Sequence, residues 1–227
     1  MSHIADNLDI VRTRVAAALA KAGRKAGDVE LMAVSKTFPA EVVAEAVEAG
    51  QYLLGENKVQ ELLAKKPQLP SKVRWHLIGH LQSNKVRKIL PAVEALHGVA
   101  SLDLAQDIQR IAGELELYPK VYLEVNLAVE STKHGFTAEQ LRADLDQILD
   151  MDRLEVQGLM CIPPFGQAAE DSRQYFIQLR QLRDELAQSS GIPLNGLSMG
   201  MSHDFEIAIE EGSTLVRVGS AIFGGRA

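Results

Sequence analysis

The chain has 227 residues, 46% of them hydrophobic and 24% charged, with a formal net charge of −6. That length accommodates one large domain or two small ones, and the mix is that of an ordinary globular protein. The negative balance, with no basic run against it, argues against a general nucleic-acid binder.

One cysteine, Cys161, leaves no partner for an intrachain disulfide and fits a reducing compartment. Asp6 and Asp9 interrupt the N-terminus, so no signal peptide is expected. No apolar run approaches membrane-spanning length, and the expected address is the cytoplasm. In chain order, residues 2–22 carry Leu8, Val11, Val15, Ala18 and Leu19 at helical spacing until Gly23 stops the pattern. Gly27 and Asp28 turn the chain into a first strand at 29–35. A helix at 39–49 follows, opened by Pro39 and closed by Gly50. A short second strand at 52–54 runs into Gly55-Glu-Asn-Lys58 and a helix at 59–66. The third strand is 73–79, the next helix 83–90 and the fourth strand 93–99. Ser101 reads as the N-cap of a helix to 115.

The rhythm continues with a fifth strand at 120–126, a helix capped by Thr137 and running to 150, and a sixth strand at 154–161. Pro163-Pro-Phe-Gly166 makes a loop before a long helix at 169–188, which carries Tyr175, Phe176, Leu179, Leu182 and Leu186 on one side. A seventh strand at 196–199, a helix at 205–211 ended by Gly212, and an eighth strand at 214–218 complete the series. Alternating β and α with apolar strands means a parallel sheet covered by helices. Eight such units after one extra N-terminal helix predict an α/β fold of the (β/α)₈ TIM-barrel type, with residues 1–227 as a single domain. The runner-up is an open doubly wound sheet, but no Gly-rich dinucleotide turn follows the first strand.

In such barrels chemistry sits at the C-terminal ends of the strands. The polar residues there are Lys36, Asn57, His76, His80, Asn126, Ser198 to Ser202, Arg217, Gly219 and Ser220. Lys36 ends the apolar run Leu31 to Val34. An ammonium in an apolar setting either pairs or loses pKa, and a lysine of lowered pKa forms Schiff bases. The plain alternative is a lysine that has left the strand for solvent. Gly219-Ser220 and Gly200-Met-Ser202 fit the phosphate sites found after strands seven and eight. Arg217 shares the parity of Leu215 and Gly219. Inside a barrel its guanidinium needs a partner. That is either a carboxylate such as Glu124 or Glu206, or an acceptor on a ligand.

A lysine, a phosphate cup and an arginine aimed into one mouth point to pyridoxal 5′-phosphate (PLP). The chain resembles, over nearly its whole length, the pyridoxal phosphate homeostasis protein family, single-domain PLP-binding proteins of the alanine-racemase-like barrel class (fold type III). The matching stretches are Ala33-Val-Ser-Lys-Thr37, Gly55-Glu-Asn57, Trp75 to Lys85, Lys133-His-Gly-Phe136, Gly158-Leu-Met160, Ser198 to Ser202 with Asp204-Phe-Glu206, and Gly212 to Gly224. The resemblance implies that Lys36 holds PLP as an aldimine, that Ser202, Gly219 and Ser220 hold its phosphate, that Arg217 faces the pyridine nitrogen and that Asn57 lies beside the cofactor. His203 departs from the family pattern, where an acidic or small polar residue is common.

An arginine cannot take the ring-nitrogen proton that makes PLP a strong electron sink. Racemisation also needs an acid–base group on each face of the substrate carbon, and the racemases draw one from a C-terminal β domain that the 227 residues do not include. The expectation is therefore an intracellular holder and donor of PLP with little turnover, monomeric, passing PLP to PLP-requiring apo-enzymes. The competing readings are a small racemase or related PLP enzyme with His76, His80 or His203 as second base, and a class I aldolase acting on a sugar phosphate. Cys161 reads as buried and inert, Trp75 and Met160 as packing. Lys85, Arg87 and Lys88 form a basic helix face, and Glu206, Glu210 and Glu211 read as a solvated one.

Overall fold

A computed structural model describes residues 3–128, 134–164, 166 and 168–225. Ser2, Lys133 and Phe165, each part of a segment read above, lie outside the described residues. The chain begins with α1 (His3–Lys21), and eight strands alternate with helices after it. They are β1 (Glu30–Val34), α2 (Ala40–Glu48), β2 (Leu53–Glu56), α3 (Val59–Lys65), β3 (Arg74–Leu77), α4 (Val86–Ile89), β4 (Ala95–Val99) and α5 (Leu102–Leu115). The second half holds β5 (Lys120–Glu124), α6 (Ala138–Leu149), β6 (Glu155–Met160), α7 (Arg173–Ser190), β7 (Gly196–Met201), α8 (Phe205–Glu210), β8 (Leu215–Val218) and α9 (Ser220–Phe223). Each strand pairs parallel with the next, and β8 returns to β1 in the register Glu30↔Leu215 to Ala33↔Val218, so the sheet closes into a barrel. The predicted (β/α)₈ architecture is therefore the observed one.

Strand parity divides the apolar residues between two cores. Ala33, Leu54, Trp75, Leu96, Leu123 and Val216 point outward and join the helix faces in the main core. Met32, Val34, Leu53, Ile78 and Leu215 form a separate small cluster on the inward parity. The N-terminal mouth of the barrel is charged. Arg74 bonds both Glu30 and Glu94, and Lys120 reaches Glu94 at 3.2 Å.

The predicted caps hold. Ser101 Oγ accepts from Leu104 N–H at 3.2 Å, and Thr137 with Gln140 forms a reciprocal capping box. Boundaries differ where local chemistry intervenes. The helix expected at 83–90 is a four-residue α4 between two 3₁₀ turns, Ser83–Lys85 and Leu90–Ala92. Pro91 lacks the N–H that would extend it. The segment at 169–188 opens as a 3₁₀ turn, Ala169–Ser172, before α7. β2 runs on through Glu56, and β7 through Met201.

One expectation is corrected. Glu206, Glu210 and Glu211 do not form a solvated face. Arg14 of α1 pairs with Glu206 at 2.6 Å, Lys21 with Glu210 at 2.6 Å, and Arg173 of α7 with Glu210 at 2.8 Å and Glu211 at 2.6 Å. These pairs bind α8 to both neighbours. Arg87 of the basic face likewise pairs with Glu114. Among the described residues no helix is long and apolar enough to cross a membrane.

Candidate functional site

The C-terminal end of β1 is held by α3. Ser35 is buried, and its hydroxyl donates to Glu56 Oε1 at 2.8 Å. Lys65 Nζ donates to the same carboxylate at 2.5 Å and to the Ser35 carbonyl at 2.8 Å. One turn back on α3, Glu61 accepts the Thr37 N–H at 3.0 Å. Thr37 has φ +72°, a left-handed conformation that a β-branched residue rarely adopts. Lys36 thus sits between two residues whose backbones are each tied to one helix. Its side chain opens into a cavity.

The opposite wall is made by the ends of β7 and β8. Asp204 is buried and accepts the Met201 N–H at 2.7 Å and the Ser172 hydroxyl at 2.7 Å, which locks the turn into α8. Gly200, near the end of β7 where its register with β8 shifts, lets the strand pass close to α8: its φ is +94°, and a Cβ there would lie 2.5 Å from the Ala208 Cβ. The turn delivers Ser202, whose Oγ accepts from Gly219 N–H at 3.1 Å and Ala221 N–H at 3.3 Å. Two backbone donors therefore converge on one small oxygen, as they would on an anion. Gly219 also passes close to β1, where an added Cβ would stand 3.2 Å from the Val34 carbonyl oxygen.

Arg217 projects inward from β8 and is buried. Nη1 donates to Ser198 Oγ at 2.7 Å and Nη2 to the Cys161 carbonyl at 2.9 Å. Burial pulls its pKa down from the usual guanidinium value, against the pull of Cys161, Asp204 and Glu124. Of the two kinds of partner weighed for Arg217, the carboxylate is not the one it contacts among the described residues. Glu206 faces Arg14 on the outside, and Glu124 acts on Arg217 only through its field. Burial pushes the Glu124 carboxyl up from its ordinary value, with Arg217 opposing.

Lys36, Asn57, Ser202, Arg217, Gly219 and Ser220, the six site residues named from the sequence, all line one cavity of about 690 Å³. Glu124, Asn126, His80 and His134 line it too, with Ile162, Pro163 and Pro164 on the loop after β6. The imidazoles of His80 and His134 stack with centroids 3.7 Å apart. Burial, then His134, holds the His80 pKa down. His76 does not belong to this group. It is buried below the cavity against His97, so it cannot serve as the second base considered above. His203 is exposed at the rim.

Sequence reasoning missed Lys65, Glu56 and His97. A lysine at helical spacing from Glu61 looks like any solvated pair, and only the fold reveals that Lys65 turns inward. His97 carried a signal that was available, a polar residue inside the apolar strand Ala95-Leu-His-Gly-Val99.

Comparison with known proteins matches residues 6–227 to the family described as alanine racemase, N-terminal domain. The pyridoxal phosphate homeostasis protein of Aquifex aeolicus is 42% identical over 222 residues, which cover 97% of each chain. That of Escherichia coli K12 is 38% identical, covering 100% of this chain and 98% of its own. Among solved structures, PipY of Synechococcus elongatus with PLP bound superposes with a TM-score of 0.87 at 40% identity, covering 97% of this chain and 100% of that one. An alanine racemase of Clostridium difficile 630 aligns at 15% identity and a TM-score of 0.75, over 97% of this chain and 57% of the racemase, which shows a shared barrel. With relatives this similar over their full length, the chain belongs to the pyridoxal phosphate homeostasis protein family.

Proposed function

We propose that this protein binds pyridoxal 5′-phosphate and takes part in the supply and homeostasis of PLP and vitamin B6, holding the cofactor covalently on Lys36. The observation that carries the reading is the convergence of Lys36, Arg217 and the Ser202–Gly219–Ser220 cup on a single cavity. Amine and aldehyde condense to a Schiff base with loss of one water. The donors on Ser202 Oγ supply a cradle that fits a phosphate, and Ser220 adds a hydroxyl at its edge. Asn57 lines the same cavity as Lys36. When bound, PLP supplies an electron sink whose strength depends on a protonated ring nitrogen. Arg217 only donates, so it would hold that nitrogen as an acceptor and keep the sink weak.

That chemistry supports a carrier with little turnover rather than an enzyme. The exposed rim, with His80, Ser220 and Ile162 at solvent, suits release to PLP-requiring apo-enzymes. The same reading places the protein in the cytoplasm as a monomer whose residues 1–227 make one domain. The test is absorbance of protein loaded with PLP, then borohydride reduction and peptide mapping. A visible band that Lys36→Ala abolishes, with the reduced adduct on Lys36, is expected. An adduct on another lysine would sink the assignment.

A second reading, a small amino-acid racemase or related PLP enzyme, draws on one observation: Glu124, its pKa raised by burial, lines the same cavity as Lys36. Loss of α-deuterium from L-amino acids separates the two. The carrier reading expects negligible exchange, and enzyme-like exchange abolished by Glu124→Gln would replace it.

A further inference from the structure

Below the cavity, four side chains form a continuous hydrogen-bonded chain across the lumen of the barrel. His76 Nδ1 lies 2.9 Å from His97 Nε2, His97 Nδ1 lies 2.8 Å from Ser198 Oγ, and Arg217 Nη1 lies 2.7 Å from the same oxygen. They come from β3, β4, β7 and β8. Strands β4 and β7 are not neighbours, so the His97–Ser198 bond spans the interior. All four are buried, His97 and Ser198 completely. Tyr122 stacks on the His97 ring with centroids 4.3 Å apart and fixes its plane.

The protons in this chain can be placed by elimination. Arg217 is a donor only, so its N–H occupies a lone pair of Ser198 Oγ. The single serine proton then points to His97 Nδ1. His97, neutral in its buried setting, carries its proton on Nε2 and donates to His76 Nδ1. The His76 proton sits on Nε2, an atom with no partner among the described residues. In the reverse order Ser198 Oγ would accept twice and its own proton would have no acceptor among the described residues. The order is thus set by the arginine.

We infer that His97, acting through Ser198, is a positioning residue for Arg217, and that it is held as the Nε2–H tautomer. Ser198 at one Nη and the Cys161 carbonyl at the other pin the guanidinium plane before any ligand arrives. A heteroaromatic nitrogen entering the cavity meets a donor already oriented, which favours binding because less ordering is left to do. The inference rests on the reading of the cavity as a PLP site, but its tautomer half concerns the ligand-free protein.

The experiment therefore has two arms. Nitrogen-15 spectra of the imidazoles in ligand-free protein should show His97 as Nε2–H, unchanged between about pH 6 and 8. An Nδ1–H tautomer would overturn the inference. In the second arm, PLP is titrated into wild type, Ser198→Ala, His97→Leu, His97→Gln and the Ser198→Ala/His97→Leu pair, each with its thermal midpoint measured. Ser198→Ala and His97→Leu should each weaken PLP binding by about tenfold. Both should move the pH titration of the visible band in the direction that Arg217→Met moves it. The paired variant should lose no more than Ser198→Ala alone, and His97→Gln, whose amide oxygen can accept from Ser198, should recover most of the affinity. Additive losses, or weakened binding with the band and its titration unmoved, would refute positioning. If His97→Leu fails to fold, Ser198→Ala and the tautomer decide the matter. A wild-type protein that forms no band on Lys36 would sink the PLP reading while leaving the tautomer result standing.

Discussion

The ammonium of Lys65 and the carboxylate of Glu56 are both buried, with side-chain exposures of 8% and 0%. Taking two charges out of water is expensive, and removing one strands the other. Lys65→Met should therefore cost about 3–5 kcal/mol, read as a drop in thermal midpoint of roughly 10 °C. Replacing both partners by apolar residues should cost less than removing Lys65 alone. A midpoint unchanged in Lys65→Met would show that the pair does not exist in solution. The same variant frees the Ser35 carbonyl, so Lys36 should react more slowly with PLP even where the protein remains folded. Lys36 itself was legible in the sequence, because a lysine closing an apolar run is a visible anomaly. So was Arg217, a charge at an inward-parity position. Lys65 was not, and His97 showed only as a polar residue inside an apolar strand, because what makes each informative is a partner on another element or across the lumen, and strand periodicity carries no record of which residues meet there.

At the level of elements, the βα alternation, the caps at Ser101 and Thr137 and the order of strands could all be read from apolar spacing and punctuating residues. Strand ends could not be read as well. β2 and β7 run beyond their expected limits because pairing with neighbours continues through Glu56 and toward Met201, where propensity alone would stop. The end of β7 and the turn that follows it are what the proposed phosphate cup depends on. Gly200→Ala introduces a methyl 2.5 Å from the Ala208 Cβ at a φ of +94°. Strain and overpacking together should cost about 3 kcal/mol, or roughly 6–12 °C in thermal midpoint. Because the turn places Ser202, PLP affinity measured on the folded fraction should fall as well. Retained affinity would show that Ser202 is dispensable to the cup. The charged seams between α1, α8 and α7 were hidden for a related reason: a row of glutamates reads as solvated until the fold brings Arg14, Lys21 and Arg173 against it. Arg173→Ala should lower the midpoint by only a few degrees, about 1 kcal/mol, and the loss should shrink in high salt, since these pairs remain partly exposed.

A column of polar side chains runs through the barrel beside the inward apolar cluster, from the Glu30–Arg74–Glu94–Lys120 group at the N-terminal mouth through His76 and His97 to Arg217 under the cavity. This gives acid stability two separate windows. Burial, the largest influence, lowers the His76 pKa from 6.5 to about 4, and His97 moves the same way. A histidine whose folded pKa is depressed binds its proton more readily in the unfolded chain. Its contribution is complete above pH 6.5 and is lost as pH falls toward about 4. For His76 alone the loss is on the order of 3 kcal/mol. The second window belongs to Glu94, whose hydrogen bond from Arg74 lowers its pKa from 4.5 to about 2. Its contribution is present above 4.5 and disappears as pH falls through about 2. Urea unfolding should therefore show stability declining already between pH 6.5 and 5, before most carboxylates titrate. His76→Gln should flatten that early decline whatever its stability at neutral pH, while Glu94→Gln should leave it in place and remove part of the later one. A wild-type stability that stays level from pH 7 to 5 would mean that the two imidazoles are not held neutral inside the barrel.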